Sequence, residues 1–268
     1  MIKCGITGSR GNLGTSFLKT KKFNFIKFSG DISKKSDVEK WIKLNEFDII
    51  IHFAALVPTY KVNKYYDRAL KVNFYGTKYL VDSIIKYKKN LDWFFFASTS
   101  HVYPFQRKKI SETNKTKPIS KYGSTKLLAE NYIKSKFINN KISYCIGRIF
   151  SIFNNKDKGF FTPSLLNKIK KGPYDLNLEN LNHYRDFLST EQISKLIIFL
   201  WKKKFSGIIN IASGKKTNLR KIAKIFAKKA AKKVSFKTNK PSCHVANISK
   251  LTKLGHKNKK LNFGRFFY

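Results

Sequence analysis

Over the first 150 residues, apolar runs of strand length alternate with amphipathic segments of helix length. The apolar runs consist of Ile, Phe and small residues without a polar face, which is typical of parallel strands covered on both sides. We predict strands at residues 3–7, 24–28, 48–54, 93–98 and 142–149, and helices at residues 13–21, 36–44, 64–88 and 121–137. This alternation predicts right-handed βαβ units and therefore an α/β fold with a doubly wound parallel sheet.

The second half of the chain is less regular and predicts a smaller unit. Two prolines and several asparagines interrupt residues 154–182, which we interpret as the start of a small C-terminal lobe. A helix at 191–201, a strand at 208–212 and a helix at 219–230 follow. We predict a main domain at residues 1–150, to which residues 187–213 return, and a lobe formed mainly by residues 151–268.

Composition restricts the class of protein. The chain of 268 residues holds 56 Lys+Arg against 15 Asp+Glu, a formal net charge of +41, yet 42% of its residues are hydrophobic. This hydrophobic content supports a buried core and argues against a disordered chain. The lysines are scattered in pairs and greatly outnumber the arginines that read bases, so we expect no specific nucleic-acid partner.

The same sequence indicates a compartment. The three cysteines are widely spaced without a CxxC motif, so we expect neither a disulfide framework nor a metal site, and a reducing compartment fits. No apolar run reaches the roughly 18 residues that a membrane span needs. The N-terminus lacks a signal-peptide pattern. We therefore expect a cytoplasmic protein without a membrane partner.

A glycine-rich turn follows the first predicted strand. The segment Thr7-Gly8-Ser9-Arg10-Gly11-Asn12-Leu13-Gly14 has the spacing G-x-x-G-x-x-G between a strand and a helix. Glycine permits the tight turn and a close approach to a pyrophosphate, while the helix N-terminus favours the anion. The sequence therefore predicts a Rossmann-like, NAD(P)-binding domain. Its expected contacts in this turn are Gly8, Arg10, Gly11, Asn12, Leu13 and Gly14.

The residues after the second predicted strand bear on the choice of cofactor. This strand ends in Lys27-Phe28-Ser29, without an acid to bind a ribose 2′-hydroxyl, whereas Arg10 could neutralise a 2′-phosphate. We therefore slightly favour NADP over NAD as the predicted cofactor, and NAD remains the alternative. Asp31 could accept a hydrogen bond from the ribose or adenine. Its alternative role is the N-cap of the next helix, which Ser36 could also supply.

Two further motifs carry candidate chemistry. In Tyr122-Gly123-Ser124-Thr125-Lys126 the phenol and the ammonium lie one helical turn apart on the same face. The ammonium and a positive nicotinamide ring would both favour the phenolate, against a reference pKa of about 10. Upstream, Ser98-Thr99-Ser100-His101 follows a predicted strand, at the edge where doubly wound folds keep their chemistry. The alternative is a turn that is merely rich in Ser and Thr.

Together these motifs resemble the extended short-chain dehydrogenase/reductase family, the NAD(P)-dependent nucleotide-sugar epimerases, dehydratases and reductases. The resemblance covers nearly the whole chain in order. Besides the motifs above it includes Gly30-Asp31, Asp48-Ile49-Ile50-Ile51-His52-Phe53-Ala54-Ala55, Asn73-Phe74-Tyr75-Gly76-Thr77, Arg148, Arg185-Asp186-Phe187 and residues 207–214. It implies that Tyr122 is the acid/base, that Lys126 lowers its pKa and holds the nicotinamide ribose, and that Thr99 orients the substrate.

The resemblance also implies ligands and partners. Further cofactor contacts are expected at Asp31, Ile32, Ala54, Ala55, Asn73, Tyr122 and Lys126, and Asn73 is expected to support the active-site helix. The implied substrate is a nucleotide-diphosphate sugar, whose diphosphate would be bound by Arg185. The alternative is a salt bridge of Arg185 with Asp186 or with another surface acid. The resemblance also implies that the small C-terminal lobe binds the substrate. The family's helix bundle implies a homodimer formed through residues 64–88 and 121–137.

Departures from the family pattern limit what is carried over. Dehydratases of the family place an Asp-Glu pair directly after the catalytic Thr, where this chain has Ser100 and His101, so we set dehydration aside. His101 could exchange a proton alpha to a keto group and contact the substrate, or could merely satisfy a turn or line a pocket. Epimerisation and simple reduction remain open. Two other classes of protein are the alternatives: a non-catalytic NAD(P)-binding regulator or scaffold, and a polyanion-binding protein.

Overall fold

The computed structural model describes residues 1–57, 59–88, 90–153, 161–238, 240–257 and 263. Along these ranges the strands are β1 (Lys3–Thr7), β2 (Asn24–Lys27), β3 (Ile49–His52), β4 (Trp93–Thr99), β5 (Tyr144–Ile149), β6 (Ser151–Phe153), β7 (Asp175–Leu178), β8 (His183–Arg185), β9 (Phe187–Ser189), β10 (Gly207–Ile211), β11 (Thr217–Asn218), β12 (Lys233–Phe236) and β13 (Ser242–His244). The helices are α1 (Asn12–Leu18), α2 (Lys35–Leu44), α3 (Thr59–Lys64), α4 (Tyr66–Leu70), α5 (Gly76–Tyr87), α6 (Lys121–Asn139), α7 (Phe161–Lys171), α8 (Thr190–Lys202), α9 (Leu219–Lys229) and α10 (Ser249–Lys253). None of these described helices is long and apolar enough to cross a bilayer.

The main sheet confirms the predicted doubly wound parallel α/β fold. Within the described residues it has the order β10-β5-β4-β3-β1-β2, and every neighbouring pair is parallel. The strand order reverses between β1 and β3, so their carboxyl ends border the crevice where such sheets bind ligands. Strands β3, β4 and β5 are buried along their whole length, as predicted. Strand β2 lies at an edge and is half-exposed, so the prediction of burial on both faces is wrong there.

The chain divides into two compact units. The first comprises Met1–Pro104, Lys115–Ile149 and Thr190–Ile211, and the second comprises Phe105–Asn114, Phe150–Ser189 and Ala212–Tyr268. The main sheet and helices α1–α6 and α8 belong to the first unit, whose core gathers apolar side chains from strands and helices, among them Val38, Ile50, Leu80, Phe94 and Ile133. The division at residue 150 stays a prediction, and residues 105–114 group with the second unit.

In its described residues the second unit has short strands, the amphipathic helices α7 and α9, and the short helix α10. Its strand pairs are β6 with β9, β7 with β12, and β8 between β11 and β13. Helices α7 and α9 contribute to a core that includes Ile169, Ile222 and Phe226. The irregular segment predicted at 154–182 contains α7 and β7, while its first residues, 154–160, lie outside the described residues.

The helix predicted at residues 64–88 contains an irregular turn. A π-helical turn (Lys71–Tyr75) joins α4 to α5, and the residues at both junctions keep helical backbone angles, so the chain spirals on without a sharp break. A π-helical turn adds a residue to the repeat and is often found at functional sites. Here it contains Asn73, whose side chain is fully buried. The periodicity of apolar residues gave no indication of this turn.

A buried ion pair fastens α6 to the sheet. Glu130 of α6 accepts hydrogen bonds from Arg148 of β5, with 2.7 Å between Oε2 and Nη2, and also from the Ser98 hydroxyl of β4. The Arg148 Nη1 donates to the hydroxyl of Tyr103 at 2.8 Å, and Tyr103 donates to Asn210 of β10 at 2.9 Å. All five side chains are buried. One hydrogen-bonded network therefore connects α6 with β4, β5 and β10.

We predict that Glu130→Gln lowers the free energy of unfolding by about 3–5 kcal/mol, because it leaves the buried Arg148 guanidinium without its counter-charge. Urea unfolding followed by circular dichroism measures the change. Replacing both partners, Glu130→Leu with Arg148→Met, should recover most of the loss. Glu179→Gln is the matched control, because the Lys237–Glu179 pair is exposed and its loss should have no measurable effect. Equal effects of Glu130→Gln and Glu179→Gln would contradict this account.

Candidate active site

The glycine turn after β1 is tightly folded against the end of β3. Gly8 has a φ of +69°, and a Cβ there would lie 2.6 Å from the backbone nitrogen of Ala54. A Cβ on Gly14 would clash with the carbonyl oxygen of Gly8. Only glycine fits at these two positions, which accounts for their spacing in the sequence. Ala54 therefore lies beside this turn, and it is half-buried, as is the following Ala55.

The residues of this turn fit a dinucleotide. Gly11 is the N-cap of α1 and supplies no capping side chain, while its own N–H is bonded to the Gly8 carbonyl at 3.0 Å. Asn12 and Leu13 form the start of α1 and are half-buried, and Arg10 is exposed. A tight glycine cradle that opens a helix without a side-chain cap is suited to a pyrophosphate. The exposed guanidinium of Arg10 is suited to an additional phosphate.

Asp31 closes a local turn and leaves α2 uncapped. Its Oδ1 accepts hydrogen bonds from the backbone N–H of Ser33 at 2.9 Å and from the Ser33 hydroxyl at 2.7 Å. These bonds lower the pKa of Asp31, which is exposed and ionised at neutral pH. The N-cap of α2 is Lys34, and Ser36 lies inside the helix, so both alternatives for a side-chain cap are wrong. The neighbouring Ile32 is buried in the core.

Helix α6 places the candidate phenol and ammonium one turn apart. It begins at Lys121, and the hydroxyl of its N-cap Ser120 accepts the N–H of Gly123 at 3.0 Å. Tyr122 is half-buried, whereas Lys126 is 1% exposed. The Nζ of Lys126 lies 3.9 Å from the ring centre of Phe96 in β4, a cation–π contact. The face of α6 that carries both side chains therefore packs on β4.

His101 connects the end of β4 with the start of α6. It lies in a short 3₁₀ turn (Ser100–Val102), where its backbone N–H donates to the hydroxyl of Thr99 at 3.2 Å. Its Nδ1 lies 3.0 Å from the Ser120 hydroxyl, and its ring meets the Tyr122 ring edge-on with 6.0 Å between centres. Thr99 and Tyr122, far apart in the sequence, therefore both lie against His101. The backbone N–H of His101 therefore stabilises the 3₁₀ turn by its bond to Thr99.

Burial sets the charge state of both candidate groups in the protein alone. It raises the pKa of the Tyr122 phenol and lowers the pKa of Lys126 to about 7, while the negative charge of Glu130 acts in the opposite direction on Lys126. The phenol is therefore protonated at neutral pH. Burial therefore opposes the phenolate expected from the sequence, and a further positive charge near Tyr122 would be needed to stabilise it.

Asn73 joins the segment after β3 to α6. Its Oδ1 accepts the N–H of Leu56 at 2.7 Å, and its Nδ2 donates to the hydroxyl of Thr125 at 3.1 Å. The Thr125 hydroxyl in turn donates to the Tyr122 carbonyl at 2.8 Å. The buried amide of Asn73 thereby fixes the first turn of α6 through both of its polar atoms.

Arg185 lies in the second unit and is half-buried. Its Nη1 donates to the Ser242 hydroxyl at 3.1 Å, and its guanidinium lies 5.2 Å from the ring centre of Phe105. Burial lowers the pKa of Arg185. The neighbouring Asp186 accepts the N–H of Gly214 at 2.9 Å, and among the described residues no carboxylate pairs with Arg185. The alternative of a salt bridge with Asp186 is therefore wrong.

The structure also reveals residues around the site that the sequence reasoning did not single out. Glu130 stands four residues after Lys126 on the same helix, a spacing that would have identified it. Ser120 stands three residues before Gly123, at an N-cap position. His52 and Thr77 form a buried hydrogen bond across 25 residues, and no local pattern gives a signal for that contact.

Comparisons with known proteins agree with this geometry. The model of the NAD dependent epimerase/dehydratase family matches residues 6–212. GDP-6-deoxy-D-talose 4-dehydrogenase of Aggregatibacter actinomycetemcomitans is 26% identical over 226 residues, which are 80% of this chain and 75% of that protein. A putative UDP-glucose 4-epimerase of Methanocaldococcus jannaschii is 25% identical over 226 residues, which are 81% of this chain and 69% of that protein.

Solved structures share the fold. The structure of RMD from Pseudomonas aeruginosa complexed with NADPH has a TM-score of 0.89 at 17% identity, covering 99% of this chain and 96% of that one. The UDP-glucose 4-epimerase of Thermus thermophilus in complex with NAD has a TM-score of 0.86 at 16% identity, with the same coverage of 99% and 96%. The glycine turn, the Tyr122–Lys126 helix and the match along residues 6–212 lead to one conclusion. The chain belongs to the NAD dependent epimerase/dehydratase family.

Proposed function

We propose that this protein is an NAD(P)-dependent oxidoreductase or epimerase that acts on a nucleotide-activated sugar. The proposal rests mainly on the packing of α6 against β4. It brings Tyr122 against His101 and Lys126 onto Phe96, next to the carboxyl end of the strand where Thr99 stands. Relatives in the family are named for reactions of GDP- and UDP-linked sugars, which supports the same class of substrate.

The side chains divide the chemistry between them. A nicotinamide bound at the glycine turn would supply the hydride acceptor or donor. In reduction, the Tyr122 hydroxyl gives its proton to the keto oxygen of the sugar as the carbonyl becomes an alcohol, and in oxidation the phenolate takes that proton back. The Thr99 hydroxyl would hydrogen-bond the same sugar oxygen, while Lys126 would hold the nicotinamide ribose and favour the phenolate.

Two further residues are assigned to the substrate. Arg185 would bind the diphosphate, and the lack of a paired carboxylate among the described residues supports this role, because a half-buried guanidinium gains from an anionic partner. His101 would line the sugar site and could exchange a proton alpha to a keto group. Ser100 and His101 stand where the family's dehydratases carry acids, so the proposal is restricted to reduction, oxidation or epimerisation.

We predict that Tyr122→Phe lowers kcat by about 10²–10⁴-fold, because it removes the proton donor. The assay follows NADPH absorbance at 340 nm with a panel of 4-keto nucleotide sugars. Tyr132→Phe is the matched control, since Tyr132 lies on the same helix but bonds to Asp82 and should leave turnover unchanged. Turnover that persists in Tyr122→Phe would remove Tyr122 from this role. Cofactor binding without turnover on any sugar would instead indicate a non-catalytic NAD(P)-binding protein.

The choice of cofactor gives a second prediction. Arg10→Ala should weaken NADPH binding by roughly 10- to 100-fold and leave NADH binding unchanged, because a charge-assisted bond to the 2′-phosphate is lost. Fluorescence titration of both cofactors measures this difference. Lys19→Ala, at the exposed C-cap of α1, removes the same charge away from the turn and should have little effect. Equal affinities of the wild type for NADPH and NADH would discard the role of Arg10.

We further propose a homodimer formed through residues 64–88, which include α4 and α5, and residues 121–137 of α6. Large apolar side chains are exposed there, with Tyr65 at 50%, Tyr75 at 40% and Leu128 at 44%. Leu128→Lys should shift sedimentation equilibrium toward the monomer. Leu44→Lys is the control, because Leu44 is 69% exposed but lies at the end of α2. A wild-type protein that stays monomeric at micromolar concentration would contradict this assembly.

A further inference from the structure

A buried histidine ends β3 and has no part in the chemistry proposed above. His52 is 0% exposed, with its Nδ1 2.6 Å from the hydroxyl of Thr7 and its Nε2 2.9 Å from the hydroxyl of Thr77. Thr7 is the last residue of β1, and Thr77 lies in the first turn of α5. The imidazole therefore connects a strand and a helix that are distant along the chain.

The hydrogen bonds determine which ring nitrogen carries the proton. The Thr77 hydroxyl donates its single hydrogen to the carbonyl of Asn73 at 2.8 Å, so toward His52 it can only accept. The Nε2 of His52 must therefore carry a hydrogen and donate it to Thr77. The Thr7 hydroxyl accepts the N–H of Ala54 at 3.2 Å and has its own hydrogen available for Nδ1.

The surroundings of His52 disfavour a second proton. The groups that face it carry no charge: they are Thr7 from β1, Phe94 and Phe96 from β4, and Thr77 from α5. From α6, the ammonium of Lys126 acts on it electrostatically. Burial, and then the charge of Lys126, lower the pKa of His52 well below its usual value. A neutral imidazole with its hydrogen on Nε2 satisfies every one of these contacts.

These bonds continue from the glycine turn to the catalytic helix. Thr7 directly precedes Gly8 and, through His52, is linked to Thr77 and the Asn73 carbonyl. From there the Asn73 side chain bonds to Thr125, whose hydroxyl donates to the Tyr122 carbonyl. The path is continuous and buried, with hydrogen-bond distances between 2.6 and 3.1 Å.

We propose that His52 is a positioning residue that, as a neutral imidazole protonated at Nε2, fixes the glycine turn relative to the helix carrying Tyr122. Its effect on catalysis rests on the proposed function, in which the nicotinamide would react at one sugar carbon while the Tyr122 phenol reacts at the oxygen bonded to that carbon. Small displacements between reacting groups lower rates steeply, so a fixed distance between turn and helix favours catalysis.

The protonation state is tested directly by ¹⁵N-edited NMR of the imidazoles. We expect His52 to show a protonated Nε2 and an unprotonated Nδ1 from about pH 5.5 to about pH 8, a range in which ordinary histidines titrate. A spectrum of His52→Gln assigns the signals by their disappearance. A hydrogen on Nδ1, or titration of His52 within this range, would overturn the proposal.

The positioning role is tested by two substitutions at His52. A glutamine amide offers one acceptor and one donor, and so can replace both bonds, whereas His52→Leu leaves two buried hydroxyls without their partner. We expect His52→Leu to weaken NADPH binding and to lower kcat, each by roughly 10-fold or more, and His52→Gln to restore most of both. Equal losses in the two variants would show that His52 serves packing alone and would overturn the proposal.

If His52→Leu does not fold, Thr77→Val tests the same hydrogen bond from the other side. It preserves the shape of the side chain, removes the acceptor for Nε2, and should reproduce the loss of NADPH affinity in a protein with native circular dichroism. An unchanged affinity would contradict the proposed path. The NMR and NADPH measurements need no sugar, so a wild type that meets them but converts no nucleotide sugar would reject the proposed function and leave the positioning role intact.

Discussion

The site depends on the buried ion pair between Glu130 and Arg148. It fixes the position of α6 relative to β5. The carboxylate of Glu130 also accepts a hydrogen bond from Ser98, the residue before Thr99. Removing two charges from water costs most of what their attraction returns, so such a pair contributes little net stability. Its contribution is geometric, because a bidentate pair accepts one arrangement of helix and strand. That arrangement brings Lys126 onto Phe96.

Much of the fold was predictable because the relevant signals are local. Strands covered on both faces appear as unbroken apolar runs, and the elements found at β1, β4 and α6 lie within a few residues of their predicted positions. The glycine spacing was equally informative, since the backbone contacts of Gly8 and Gly14 leave no room for a side chain. The spacing of Tyr122 and Lys126 placed both on one helical face without further information.

The remaining features could not be predicted because they depend on contacts between distant residues. Asn73 bonds to partners 17 and 52 residues away, and the π-helical turn that holds it leaves the apolar pattern unchanged. Asp31 was also a candidate N-cap of α2, but it does not cap that helix, because its carboxylate is bonded to Ser33. Arg185 and Asp186 are adjacent in sequence, but Arg185 donates to Ser242 while Asp186 accepts from Gly214, so their proximity along the chain was misleading.

The depressed pKa of Lys126 has a consequence for ligand binding. With a pKa of about 7, this amine is only partly protonated in the unliganded protein near neutrality. Any ligand that prefers the ammonium must then draw a proton from the solvent as it binds, so its affinity declines as the solution becomes alkaline. The heat of association would accordingly vary with the ionisation enthalpy of the buffer. Binding of such a ligand is thus coupled to proton uptake.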